Sequence, residues 1–177
     1  YGETVYYSYI IVSVNSTVKE IAELRGKIFA FTDEKSNSGK LVPTYMLAKM
    51  NETPEIFFKK YIFTNAHDKS IFAVAEEIVD GAAVDSLVWE YTNKINPEIT
   101  SKTKIISKSP PYGIPPVVVR PGLDNEIKQK LKDIFLNMHN DEKGKEILKG
   151  MMIDKFVIIN DSEYNSVREM KAYLNKK

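Results

Sequence analysis

The sequence predicts an α/β protein built on a parallel or mixed sheet. Short runs rich in β-branched and aromatic residues recur at Val5–Val14, Lys27–Thr32, Tyr61–Thr64, Ala82–Asp85 and Thr103–Ser107. Between them lie segments whose apolar residues repeat at helical spacing. The junctions carry Ser, Asn, Asp and Gly, which cap helices and turn chains. Strands alternating with helices in this way make a sheet covered by helices.

Taken in order, Val5–Val14 reads as the first strand. Asn15, Ser16 and Thr17 supply a cap for a short helix with Val18, Ile21, Ala22 and Leu24 on one face, ended by Gly26. The apolar strand Lys27–Thr32 follows, then Ser36, Asn37, Ser38 and Gly39, then a helix over Thr44–Met50. Pro43 sets the choice for that helix: it starts near Ser38 and is distorted, or it starts regularly at Pro43. Asn51–Phe58 reads as a turn and a short helix, and Tyr61–Thr64 as a strand. Asn65–Asp68 opens a helix with Ile71, Phe72, Val74, Ala75, Ile78 and Val79 on its apolar side. Asp80 and Gly81 turn the chain into the buried strand Ala82–Asp85, and Ser86–Lys94 is helical with Trp89 partly buried.

Beyond the strand Thr103–Ser107, a proline-rich crossing over Lys108–Pro116 leads to a strand at Val117–Arg120. Helices follow at Asp124–Met138, with its cap at Asp124, and at Asp141–Leu148, ended by Gly150. Phe156–Ile158 is extended, and Asp161–Leu174 forms a terminal helix.

The composition excludes several functions. The chain has 177 residues, 43% hydrophobic and 28% charged, within the range of an ordinary globular domain or two small lobes. A formal net charge of +1 gives no field that would draw nucleic acid or an anionic membrane surface. The absence of cysteine removes disulfides, thiolate nucleophiles and cysteine metal sites. No metal-ligand spacing is present, and Gly39-Lys40 lacks the glycine and hydroxyl residue of a nucleotide-binding loop.

The stretch Ser36–Gly39 is where the chemistry concentrates. The first N–H groups of a helix have no carbonyl one turn back, and the helix dipole favours negative charge there. Ser36, Asn37 and Ser38 add side-chain donors, and Gly39 permits close backbone approach. The bland alternative is an ordinary N-cap after a strand. His67 also follows a strand and opens a helix, so it sits at the same sheet edge, as an oxyanion donor or as a helix cap. Asp85 ends a third strand there. Its carboxylate accepts from a protonated ligand oxygen or caps the helix that starts at Ser86. One hydroxyl of the Tyr6-Tyr7 pair can reach a ligand while the other packs inward. His139 reads as a solvated surface residue. A Ser38-His67-Asp85 triad can be drawn, but no nucleophile elbow accompanies it. The pattern describes a binding site, with no catalytic residue and no cofactor.

Several ordered stretches resemble a known family. They are Leu24–Phe31, Ser36–Pro43, Thr64–Asp68, Val79–Ser86, Lys108-Ser109-Pro110 and Val117–Arg120. Together they resemble the phosphate/phosphonate (PhnD-type) substrate-binding proteins of ABC transporters, over nearly the whole chain. The resemblance implies a periplasmic-binding-protein fold of type II, with two α/β lobes and a hinge. It implies that the complete lobe, about 15–107, carries the anion-binding turn. Segments 1–14 and 108–177 would be hinge crossings and part of the other lobe, with the family's N-terminal part missing. It assigns ligand binding to Ser36, Asn37, Ser38, Gly39, His67 and Tyr6. Asn37 stands where the family usually has threonine. Leu87 and Pro115 stand near positions that are acidic in members holding an amine, which disfavours an amine-bearing ligand. The implied ligand is a phosphorus oxyanion (phosphate, phosphite or phosphonate) and the implied partner an ABC transporter permease, outside the cytoplasm. Two rivals share the fold: a sensor domain fused to a membrane-bound signalling module, and a histidine-dependent enzyme. A partial lobe with exposed apolar helix faces would also favour a dimer.

Overall fold

The computed structural model describes residues 2–176. They form two compact units. The larger comprises Tyr6–Tyr112 and the segment from Tyr164 onward, and the smaller comprises the residues up to Val5 and Gly113–Glu163.

The larger unit holds a five-stranded mixed sheet. Its strands are β2 (Ser8–Ser13), β3 (Ile28–Phe31), β4 (Lys60–Phe63), β5 (Gly81–Asp85) and β6 (Thr103–Lys108), in the order β4-β3-β5-β2-β6. β3 runs parallel to β4 and β5, while β2 pairs antiparallel with β5 and β6. Two two-residue strands, β1 (Val5–Tyr6) and β7 (Tyr112–Gly113), lie where the chain passes from one unit to the other.

Alternation along each strand splits the core into two layers. Ile10, Val12, Phe29, Phe31 and Ala83 face one side with Leu24, Leu47, Phe57 and Phe58. Tyr9, Ile11, Ala30, Ala82 and Val84 face the other with Ile71, Val74 and Val79. Helices α1 (Val42–Lys49) and α2 (Pro54–Phe57) contribute to the first layer. Helix α3 (His67–Ala75) builds the second, with α4 (Ser86–Ile95) and α5 (Pro97–Thr100) packed against it. Because β3, β4 and β5 are parallel, their carboxyl ends share one edge. The chain leaves β3 for β4 on one side and returns to β5 on the other. The crevice at such a reversal is where ligands of α/β sheets bind.

The smaller unit contains α6 (Asn125–Asn137) and α7 (Glu142–Met151), and the final helix α8 (Asn165–Leu174) belongs to the larger one. Tyr45 of α1 and Tyr173 of α8 meet edge to face at 5.2 Å. Among the described residues no helix is long and apolar enough to cross a membrane.

Several expectations are corrected. The first strand is not a crossing outside the 15–107 lobe: β2 lies inside its sheet, between β5 and β6. A sheet that buries both faces needs that apolar run at its centre. Val117–Arg120 is not a strand. Its valines are exposed and prolines flank it, so it has no neighbour to complete a ladder. Ile21–Leu24 is a single 3₁₀ turn. α3 stops at Ala75, and Glu77 takes a positive φ of 56°, so Ile78 swings outward; Phe72 is also half exposed. Gly150 lies inside α7, which ends instead at the left-handed Met152. His139 is half-buried, with its Nδ1 enclosed.

Candidate oxyanion-binding site

The Ser36–Gly39 turn resolves the choice posed by Pro43 by using both options. Asn37–Leu41 forms one π-helical turn, and α1 continues from Val42 with Pro43 in its first turn. The N–H groups of Leu41 and Val42 reach back to the carbonyls of Ser36 and Asn37. Pro43 has no N–H, so the Gly39 carbonyl lacks its regular helical donor. The Thr32 amide at the end of β3 donates to it instead, at 3.3 Å. The distorted turn is thereby stitched to the strand before it.

Gly39 is required for a different reason than ligand approach. A Cβ at this position would lie 1.8 Å from Thr32 Oγ1, so only glycine lets the turn sit on β3. Ser36 is the N-cap, and its Oγ accepts from the Gly39 amide at 3.0 Å. Ser8 Oγ donates to the Ser38 carbonyl at 2.6 Å. Ser8 lies opposite Asp85 in the β2–β5 ladder, so this bond holds the turn over the carboxyl end of β5.

His67 opens α3 after Asn65, whose φ of 62° and bond to the Thr32 carbonyl (2.6 Å) reverse the chain beyond β4. The Asp85 amide donates to His67 Nδ1 at 2.9 Å. Nδ1 is therefore the unprotonated nitrogen, and Nε2 carries the hydrogen. Burial pushes the imidazole pKa below its ordinary value, against the opposing pull of Asp33 and Asp68. The ring is a neutral donor. This tautomer also defeats the triad. Nε2–H cannot take a proton from a serine, and Nδ1 faces a backbone amide where a triad needs a carboxylate.

The Asp85 side chain does cap α4, its Oδ1 accepting from the Leu87 amide at 2.7 Å. Burial nevertheless pushes the carboxyl pKa up to about 6, with the Leu87 and Val88 amides only partly opposing. Tyr6 is buried against Tyr112, ring to ring at 6.3 Å. Asn37 Nδ2 donates to its hydroxyl oxygen at 2.9 Å. Burial raises the phenol pKa, Asn37 and Ser38 lower it by hydrogen bonding, and the charge of Asp85 raises it further.

Ser36, Asn37, Ser38, Gly39, Tyr6, His67 and Asp85 thus lie around one edge of the sheet, linked by the bonds just described. Sequence reasoning missed the layer behind them. The Ser8 amide donates to Ser109 Oγ and the Tyr7 amide to Ser86 Oγ, both at 2.9 Å. It also missed Lys40, whose Nζ lies 3.9 Å from the Phe31 ring centre, with Tyr61 and Phe63 beyond. That cation–aromatic contact ties the far end of the turn to β3 and β4.

The chain is 30% identical over 167 residues to a probable ABC transporter phosphite binding protein, PhnD1, of Prochlorococcus marinus (strain MIT 9301). The match covers 91% of this chain and 56% of that relative. Among solved structures, a binding protein component of an ABC phosphonate transporter from Pseudomonas aeruginosa superposes with a TM-score of 0.87 at 30% identity. It covers 97% of this chain and 58% of that one. PhnD1 from Prochlorococcus marinus in complex with methylphosphonate superposes at 0.83 with 27% identity, covering 98% and 68%. The chain therefore spans little more than half the length of the curated relative, and its fold is that of the periplasmic binding proteins, present in part. The family model described as ABC transporter, phosphonate, periplasmic substrate-binding protein matches residues 1–164, and the chain belongs to that family.

Proposed function

We propose that this chain supplies the oxyanion-binding lobe of an extracytoplasmic solute-binding protein that captures phosphate, phosphite or a simple phosphonate for ABC import. One observation carries the reading. The Asp85 amide fixes His67 as a neutral Nε2–H donor beside a helix start that is rich in hydroxyl donors. In this reading the Ser36 hydroxyl, the first-turn amides with that of Ser38 among them, Tyr6 and His67 donate to the anion. The Asp85 carboxylate, beyond its cap, accepts from a protonated ligand oxygen, which selects a monoprotonated form over a fully ionised one. A fixed array of neutral donors binds an anion without the reorganisation that water would need.

The family is a transporter component, and the site contains donors and an acceptor without an activated nucleophile, so we read it as non-catalytic. The relative's methylphosphonate complex supports a small phosphonate as ligand, and non-acidic Leu87 argues against an amine on it. The protein partner in this reading is the transporter's permease. Isothermal titration of the native full-length protein with phosphate, phosphite and methylphosphonate is the test. At least one should bind, and His67→Ala should weaken it by about 10-fold or more, the worth of one charge-assisted hydrogen bond. No heat and no thermal shift with any of the three overturns the reading.

A further inference from the structure

We propose that Asn37 is a positioning residue: its amide, donated to the Tyr6 oxygen, turns the Tyr6 hydroxyl proton outward to the bound oxyanion. The last clause rests on the function proposed above; the first does not. The resemblance makes Asn37 a ligand donor, but its Nδ2 is committed to Tyr6 Oη at 2.9 Å. A phenol oxygen carries one proton and accepts at its lone pairs. When Asn37 donates to the oxygen, the phenol proton cannot lie on that bond and must be offered elsewhere. The ring itself cannot turn away. Tyr6 is 4% exposed and packs on Tyr112, whose own hydroxyl is on Met170 Sδ at 3.5 Å.

The bond to Tyr6 is the anchor of the Asn37 amide. Its Oδ1 is enclosed and meets no hydrogen-bond partner among the described residues. The carbonyl end therefore does not hold the side chain, and the bond to Tyr6 sets its orientation. The backbone is fixed too, because the Asn37 carbonyl accepts from the Val42 amide in the π turn. A neutral donor aimed by a second neutral donor adds no charge to a site that already contains Asp85. Tyr6 thereby becomes an O–H donor held in place before any ligand arrives.

Two measurements test this. The first needs no ligand. The ionisation of Tyr6 is followed by NMR in protein carrying 13Cζ-labelled tyrosine, with the Tyr6 signal assigned by its loss in Tyr6→Phe. Removing a donor from the phenol oxygen must raise the Tyr6 pKa in Asn37→Ala, and in Asn37→Ser should the alanine variant not fold. The opposite arrangement, with Tyr6 donating to Oδ1, requires the pKa to fall. A fall, or no change, overturns the proposal. The second is a double-mutant cycle on methylphosphonate affinity with Tyr6→Phe and Asn37→Ala. Each single variant should bind about 10-fold more weakly, and the double variant no more than about twofold below Tyr6→Phe. Additive losses overturn the outward role of the Tyr6 proton. Failure of the wild type to bind any phosphorus oxyanion refutes the proposed function, and the titration then decides the Asn37–Tyr6 arrangement alone.

Discussion

In the larger unit, β2 and β5 bury every residue they contain; in the smaller one, the 13-residue helix α6 buries none. The strands are short continuous runs, whereas α6 has an apolar face at helical spacing, and its Ile127 and Ile134 are exposed all the same. Periodicity says which side of an element is apolar. Only a covering layer turns that side into stability, since the gain comes from apolar area removed from water. The larger unit closes its two core layers with α1, α2 and α3, and its polar groups with Ser8, Ser86 and Ser109. The candidate site is built on that closed part, and its polar groups are held by bonds within the chain.

The sharpest way to test the contrast is Phe29→Ala. Phe29 is fully buried, stacked on Phe58 at 4.4 Å and edge-on to Phe31 at 5.2 Å. Its loss should cost about 3–5 kcal/mol by urea unfolding. A cost below about 1 kcal/mol would mean the layer is loosely packed. Gly39→Ala comes next. The added methyl collides with Thr32 Oγ1, and the contact is held from both sides by the Thr32–Gly39 backbone bond. About 3 kcal/mol should be lost, with oxyanion affinity falling alongside because the turn must lift off β3. Lost affinity at unchanged stability would instead show a glycine kept for ligand approach.

Asp85→Asn reads the same region through pH. The folded carboxyl titrates at about 6 against an ordinary 3.8, so the folded state holds its proton more tightly than the unfolded chain does. Its contribution to stability is therefore full below pH 3.8 and is lost as pH rises through 6. Asparagine also caps helices well. The variant should gain on the order of 2–3 kcal/mol on wild type above pH 6 relative to the difference below pH 4. A difference that does not change with pH would show that Asp85 is not desolvated. His67→Ala should cost about 1–3 kcal/mol by leaving the Asp85 amide without its acceptor. Here the sign reverses. A depressed imidazole pKa favours the neutral ring in the folded state, so its contribution is present above the unfolded value and fades as pH falls. The penalty should shrink on acidification.

The sequence made the frame of this site legible and left its wiring hidden. Ser36, Gly39, His67 and Asp85 stand out in the sequence because strand ends and helix starts are marked by local residue types. The bonds that give them roles join residues far apart in the chain. Asn37 and Tyr6 are 31 positions apart, and His67 and Asp85 are 18 apart. Those pairs depend on how the turn after β3, the start of α3 and the end of β5 meet at one edge of the sheet, and no local pattern encodes that meeting. Lys40 carries no local mark, because its aromatic neighbours come from two strands. Val117–Arg120 failed in the opposite sense. Its β-branched run is strand-like, but a strand needs a neighbour, and prolines at 115, 116 and 121 hem it in.

The smallest expected effect concerns the open side of the comparison. α6 is held by local terms. Asp124 Oδ1 accepts from the amides of Glu126 (2.9 Å) and Ile127 (3.2 Å), and Glu126 pairs with Lys130 at 2.7 Å in solvent. A cap is worth about 1 kcal/mol and an exposed i,i+4 pair about 0.3–0.5. Neither offsets the cost of ordering 13 residues, so tertiary cover must normally supply the difference. Where that cover is thin, the helix opens by itself and its amides exchange without global unfolding. Hydrogen exchange should then separate the two regions. Amides of β2, β3 and β5 should exchange only through global unfolding, and those of α6 by local opening. Asp124→Ala should speed exchange in α6 by about fivefold, while global stability changes by less than about 0.5 kcal/mol. Equal protection in α6 and β3 would mean that the helix is covered after all, and the contrast between the two units would disappear.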